Sequence, residues 1–235
     1  MSESPIRVVS LGRRRYGEVL ELQRALCRER VQGQRHEDLL LLVEHDPVVT
    51  LGRSTRASSL PISTDGLEAR GLEVFDVERG GDVTLHAPGQ LVGYPILDLG
   101  GFRRDLHWYL RQVEEAQIVA LGGFGLAAGR NPGLTGVWVD GRKIASIGIH
   151  VKQWVTFHGF ALNVTTALQL FELIVPCGIA DVDMTSIARE TDRSPLGRAL
   201  WDETVQRVVA GFAAVFDREM LPLTETELSP GARAG

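Results

Sequence analysis

Cys177 sits in Ile174-Val175-Pro176-Cys177-Gly178-Ile179. The proline fixes its own φ and biases Val175 to extended backbone. Gly178 leaves room for a reacting group to approach its amide. Such a turn would hold a thiol at the end of an apolar strand with an N–H beside it, a setting that suits a nucleophile; a buried cysteine in a tight turn satisfies the same residues. A lysine is the second candidate. Of 25 basic residues only Lys143 and Lys152 are lysines, the other 23 being arginine. Coding bias accounts for the ratio, yet a lysine kept in such a chain is a small titratable ammonium that a guanidinium cannot replace. Lys143 follows the hairpin signal Asp140-Gly141 and shares a strand face with Ala145, Ile147, Ile149 and Val151. It either reaches out to solvent or is held on that apolar face, where a lysine becomes usable in proton transfer. The third group is glycine-rich. Arg79-Gly80-Gly81 and His86-Ala87-Pro88-Gly89-Gln90 bracket a short strand, and their amides can bind a carbonyl or an anion. Arg79 and His86 then project near one mouth, unless these are two ordinary β-turns. Together the residues suggest a cysteine nucleophile, a lysine or histidine base and a glycine-lined pocket.

Other chemistries find little support. There is no H-E-x-x-H, no Walker loop and no G-x-G-x-x-G, and the six histidines lack metal-ligand spacing. Neither a metal nor a cofactor is expected. A net charge of −5 argues against general nucleic-acid binding. No apolar run is long enough to span a bilayer, and the first residues lack the pattern of a secretory signal. Two distant cysteines, Cys27 and Cys177, make no disulfide framework, so a cytoplasmic location is expected.

The elements that must position these groups follow from periodicity. Ser10 to Gly33 reads as a helix, with Val19, Leu22 and Leu26 inward, Cys27 inert beside them, and Arg13-Arg14-Arg15 as its solvated start or a docking patch. Leu39 to Val43 is apolar throughout, as in a strand buried on both faces, and Val48 to Leu51 follows as a second strand. Ser54 to Gly66 reads as a loop. Strands are expected at Val74–Val77, Val83–Leu85 and Leu91–Leu97. Arg103 to Leu121 is an amphipathic helix with Leu106, Leu110, Val113 and Ala120 inward. Trp154 to Val164 reads as a strand pair with His158 and Asn163 on opposite faces. A short helix over Ala167–Leu173 leads to Cys177. A further helix entrance lies at Met184-Thr185-Ser186-Ile187, with Thr185 or Ser186 as cap. The last helix carries Trp201, Val205, Val208, Phe212 and Val215. Leu223 to Gly235 reads as a frayed tail.

Four segments together resemble the octanoyltransferases of lipoate biosynthesis. They are RGGDVTLHAPGQLVGYPILDL at 79–99, GVWVDGRKIASIGIHV at 136–151, HGFALNV at 158–164, and FELIVPCGI followed by MTSI within 171–187. The match runs in order between Leu39 and Ile187, while the first and last helices match in outline. The resemblance implies an α/β (α+β) fold, a mixed sheet flanked by helices as in biotin and lipoate protein ligases, with one catalytic domain over 1–222 and the tail at 223–235. It implies transfer of an octanoyl group from octanoyl-acyl carrier protein to a lysine on lipoyl domains of 2-oxoacid dehydrogenase complexes and the glycine cleavage H protein. Cys177 would carry the thioester and Lys143 would lower its pKa, with no nucleic-acid or membrane partner. Arg79, Gly80, Gly81, Asp82, Val83, Thr84, Leu85 and His86 would contact substrate, with Ser146, Ile147 and Gly148, and with Gly159, Phe160 and Ala161. The amide of Gly178 is the candidate oxyanion donor by position. Leu85 and Ala87 depart from the aromatic and glycine usual there, leaving the turn after His86 and acyl-chain preference open. Two rival classes remain, an ATP-dependent ligase of similar fold and a non-catalytic acyl-binding protein.

Overall fold

Leu39 to Val43 does run through a strand buried on both sides. Leu40 and Leu42 enter one apolar cluster, whereas Leu39, Leu41 and Val43 enter another on the opposite face. Alternation sends successive side chains to opposite faces, so a strand without polar positions must be covered twice. The computed structural model describes residues 4–175, 182–193 and 198–228. In chain order these form β1 (Ile6–Arg14), α1 (Tyr16–Val31), β2 (Asp38–His45), β3 (Val48–Leu51), α2 (Thr64–Glu68), β4 (Glu73–Asp76), β5 (Val83–His86), β6 (Gln90–Ile96) and α3 (Leu106–Gly122). There follow β7 (Ala128–Gly129), β8 (Val137–Val139), β9 (Arg142–Lys152), β10 (Val155–Asn163), α4 (Ile187–Glu190), α5 (Arg198–Phe216), β11 (Met220–Pro222) and α6 (Glu225–Leu228).

The large sheet is mixed, in the order β11-β1-β2-β6-β10-β9-β8-β7, and a small sheet has the order β4-β3-β5. β1 runs parallel to both neighbours, while β2, β6, β10, β9, β8 and β7 pair antiparallel in turn. On one face the cluster of Leu40, Leu42 and Phe160 takes in Tyr109 and Val113 of α3 and Val208 and Phe212 of α5. The other face, with Leu41, Tyr94 and Phe157, is covered by Val19 and Leu26 of α1. The expected mixed sheet between helices is therefore present. Among the described residues no helix is long and apolar enough to cross a membrane.

Several boundaries differ from the sequence reading. Residues 10–33 are not one helix: β1 occupies the first part, and Arg13 and Arg14 close a strand rather than open a helix. Val9 and Leu11 are buried against one face of the sheet and Ile6 against the other, so strand burial overrides the helical spacing that begins further on. The loop at 54–66 holds a 3-10 turn at Ala57–Ser59 and the start of α2, whose cap Ser63 accepts from the Gly66 N–H at 3.2 Å. In α3 the capping residue is Asp105, so the inward stripe is Tyr109, Val113, Ala116 and Ala120, and Leu106 is 46% exposed. Residues 155–163 form one strand, not a pair. The tail is not frayed as far as Leu228. The Leu223 N–H donates to Val8 O at 2.8 Å, and Leu228 is buried while its carbonyl accepts from the buried Arg35 guanidinium at 2.7 Å. A buried arginine needs such acceptors, which a polar-looking tail supplies. At Ser186 the expected cap is observed, its side chain accepting from the Arg189 N–H.

Candidate active site

A cavity of about 370 Å³ opens where the small sheet meets β9 and β10 of the large one. Arg79, Gly80, Gly81, Asp82, Val83, Thr84 and His86 contribute to one wall. Ser146, Ile147 and Gly148 of β9 and Gly159, Phe160 and Ala161 of β10 contribute to another. Of the residues expected at the substrate, Leu85 does not line it. It is packed with Val49, Leu67 and Ile174 in the core beneath the small sheet, as alternation along β5 requires when Thr84 and His86 face the cavity. Ala87 is fully buried, and the positive φ of this turn (84°) falls on Gly89.

The wall at 79–82 is fixed by backbone and guanidinium together. Gly80 N–H donates to Ile149 O at 2.9 Å, tying the loop to β9. Arg79 donates through Nη2 to Thr50 O at 2.7 Å and Oγ1 at 2.9 Å, and through Nη1 to Gly80 O at 3.1 Å. Gly148 is needed here, because a Cβ on it would lie 2.8 Å from Arg79 Cδ and 3.1 Å from Gly80 O. Asp82 Oδ1 accepts from Val83 N–H at 2.7 Å and Oδ2 from Ser59 Oγ at 2.6 Å, and Ser59 O accepts from Val175 N–H at 2.9 Å. The chain approaching Cys177 is thus bonded to a residue that bonds the cavity wall.

The histidines of this region are held neutral. Burial pushes the His86 pKa down to about 3, with His45 adding to the shift, and pushes that of His45 down to about 4. His45 Nε2 lies 2.8 Å from Tyr94 Oη. His86 Nδ1 lies 2.8 Å from Gln90 Oε1, while Gln90 Nε2 donates to Asn163 Oδ1 at 2.9 Å and Asn163 Nδ2 donates to Thr185 O at 2.9 Å. With the Gln90 oxygen as acceptor, the imidazole proton sits on Nδ1. His158 belongs to a separate set, as its placement opposite Asn163 anticipates. Its Nε2 is 3.5 Å from Glu78, too far for a good hydrogen bond, and Glu78 is held by Arg24 at 2.8 and 3.0 Å. Burial lowers the His158 pKa, and contact with His158 and Arg24 lowers that of Glu78. None of these imidazoles is a strong base at neutrality.

Lys143 does not reach solvent; it is 1% exposed. Its Nζ stands 5.5 Å from the centroid of the Trp138 ring, a favourable placement for a cation. Gly136, with φ 122°, allows the lysine to lie so close: a Cβ there would be 2.8 Å from Lys143 Cε and 2.5 Å from Ala145 O. The Lys143 main chain donates to Asp183 O at 2.8 Å and accepts from Thr185 N–H at 2.9 Å. Cys177 and Gly178 lie outside the described residues. Cys27 is buried on α1, and burial raises its pKa.

Some wall residues have no strong signal in the sequence. Tyr16 of α1, Val92 and Tyr94 of β6, Leu110 of α3, the segment Gly133-Leu134-Thr135 and Ile149 all line the cavity. Asn131-Pro132-Gly133 is a turn signal that marks the segment, though not its role. The fully buried Glu114 of α3 binds it in place, accepting from Arg111 and Arg130 and from Gly136 N–H at 3.1 Å.

Residues 15–213 match the lipoyl protein ligase A/B catalytic domain. The octanoyltransferase of Solibacter usitatus is 52% identical over 213 residues, 90% of this chain and 93% of its own. That of Synechococcus elongatus is 44% identical over 229 residues, 97% and 94% of the two chains. Among solved structures, a lipoate-protein ligase A bound with ATP superposes with a TM-score of 0.72 over 96% of this chain and 90% of that one, at 18% identity. A bi-partite lipoate protein ligase from Thermoplasma acidophilum gives 0.72 over 97% and 89%, also at 18%. These two likenesses show the fold, and the closer sequence relatives show the activity. The chain belongs to the lipoyl protein ligase A/B catalytic family and, within it, to the octanoyltransferases, transferase enzymes of lipoate attachment.

Proposed function

We propose that this octanoyltransferase works through a thioester on Cys177, with Lys143 as its partner, octanoyl-acyl carrier protein as donor and a lipoyl-domain lysine as acceptor. The observation that carries this reading is the buried side chain of Lys143, on a strand whose main chain bonds Asp183 and Thr185 just after the cysteine segment. On the other side Cys177 is two residues, about 7 Å of fully extended chain, from Val175, which is tied through Ser59 to Asp82 of the cavity wall. The cavity suits an acyl chain: Val92, Leu110, Leu134, Ile147, Ile149 and Phe160 give it apolar surface. Burying the six methylenes of an octanoyl group at ~0.8 kcal/mol each contributes about 5 kcal/mol.

The chemistry then balances. An ammonium beside the thiol favours thiolate. The thiolate attacks the octanoyl thioester carbonyl, the bond to the carrier sulfur breaks, and that sulfur leaves with the proton of Lys143. The neutral amine of the incoming lysine attacks the acyl-enzyme, the Cys177 thiolate departs, and Lys143 takes the amine proton back. Acceptors of this kind are the lipoyl domains of 2-oxoacid dehydrogenases and the glycine cleavage H protein. No adenylate is required, which separates the reading from an ATP-dependent ligase.

The test is intact mass measurement after incubation with octanoyl-acyl carrier protein, without ATP. Wild type and Cys27→Ala should gain one octanoyl group and Cys177→Ala none. Full transfer to a lipoyl domain by Cys177→Ala sinks the covalent mechanism, and strict dependence on ATP favours the ligase reading.

A further inference from the structure

We propose that Phe160, laid across Gly93, sets the length of acyl chain this enzyme transfers, so that Gly93 is a specificity residue although it does not line the cavity. The inference rests on the reading of the cavity as the acyl site.

Phe160 of β10 is paired in register with Gly93 of β6. Its ring lies over the glycine so closely that a Cβ on Gly93 would overlap Cζ and Cε1 and stand 3.0 Å from Cε2. The ring is also braced. It stacks on Phe212 of α5 at 5.6 Å between centroids, and Phe212 stacks on Phe216 at 5.4 Å. Phe160 is only 2% exposed yet lines the cavity. One neighbour of the ring is backbone, another is a stacked aromatic pair, and the unfilled space beside it is the cavity.

Two opposite perturbations follow. Removing the ring extends the cavity towards Gly93 and Phe212, because packed surroundings relax only partly around a lost side chain. Adding a methyl group at Gly93 pushes the ring towards the unfilled side, which shortens the cavity. A ring over a glycine also stabilises a sheet, so a purely structural role would lower stability in both variants and leave chain-length preference where it was.

The experiment compares kcat/KM for carrier proteins loaded with hexanoyl, octanoyl and decanoyl groups on wild type, Phe160→Ala, Phe160→Leu and Gly93→Ala, with a thermal melt of each protein. Phe160→Ala should raise the decanoyl-to-octanoyl ratio about tenfold or more, the scale on which a hydrophobic pocket discriminates a methylene. Phe160→Leu should move it the same way by less, and Gly93→Ala should raise the hexanoyl-to-octanoyl ratio. If octanoyl transfer falls while both ratios stay fixed, the length-setting role is overturned and the acyl site stands. If Phe160→Ala changes neither rate nor ratio, the acyl-site reading fails with it. Should Gly93→Ala not fold, the leucine variant decides: no shift in its ratio overturns the proposal.

Discussion

Replacing Lys143 by methionine separates the two duties assigned to it. Methionine fills much of the same channel between the Trp138 ring and Gly136 and carries no charge. An ordinary thiol with a pKa of about 8.5 is roughly 3% thiolate at pH 7, and an adjacent ammonium that lowers it by one to two units raises this to about 25–75%. Acylation of the methionine variant should therefore slow about eight- to twenty-five-fold at pH 7. At pH 9 most of that deficit should vanish, since the thiol then ionises unaided. The second half-reaction loses its proton acceptor, and general-base assistance is worth about 10²–10⁴. That deficit should persist at pH 9, so octanoyl-enzyme accumulates there. Lys143→Arg keeps the charge, but its planar head must fit where Gly136 already approaches Lys143 Cε, and both half-reactions should be impaired. Quenched single turnovers read by intact mass at pH 7 and pH 9 follow each step. If Lys143→Met acylates and transfers at wild-type rates at both pH values, the dyad is refuted and Lys143 is a buried structural lysine.

Glu114 is fully buried while Arg111 and Arg130 are half exposed, so Arg111→Met with Arg130→Met, which takes both guanidinia from the buried carboxylate, should cost about 3–5 kcal/mol. Glu114→Gln should cost less because the freed guanidinia reach water; denaturant midpoints in the reverse order refute this account. His86 and His45 have folded-state pKa values of about 3 and about 4, below the unfolded value near 6.5. The unfolded chain binds the extra protons, so stability is full above pH 6.5 and falls on acidification towards pH 4, by up to about 1.4 kcal/mol per pH unit for each. A melting temperature flat from pH 6.5 to 4.5 would contradict it. Donor docking should depend on Arg53 and Arg56. Arg13, Arg14, Arg15 and Arg103 are engaged with Asp46, Glu225, Glu73 and Asp105, whereas Arg53 donates its backbone N–H to Arg79 O at the cavity loop. Arg53→Glu with Arg56→Glu should lower kcat/KM for the carrier about tenfold at low ionic strength and flatten its salt dependence; an unchanged salt slope removes the electrostatic argument.

The sequence was most informative where one residue type has few physical uses. A wholly apolar run such as Leu39–Val43 needs cover on two sides, and Asp140-Gly141 between apolar runs makes a hairpin. Most wall residues at 79–86, 146–148 and 159–161 were legible through resemblance, with Leu85 excluded by strand alternation. What stayed hidden depends on distant partners. Glu114 looks like one more helix-surface acid until Arg130 and Gly136 fold back onto it. The boundary between β1 and α1 is masked by three arginines, Arg13, Arg14 and Arg15, that serve a helix or a strand end equally well. The division into two sheets was not visible either, because only Ala87, Pro88 and Gly89 separate β5 from β6.

The pairing of β1 with β11 carries a consequence for synthesis. Ile6 pairs with Met220 and Val8 with Pro222, so β1 waits until residues 15–219 have been made before its outer neighbour exists. At five to twenty residues per second that interval is ~10–40 s, during which β1 offers an open edge to other nascent chains. Arginines at positions 7, 13 and 14 and the register shift between Ser10 and Arg13, where Gly12 takes φ 65°, are features that discourage edge-to-edge pairing. A chain cut before Met220 would keep that edge permanently, and aggregation on the ribosome-release time scale, rather than loss of chemistry, would be its first failure.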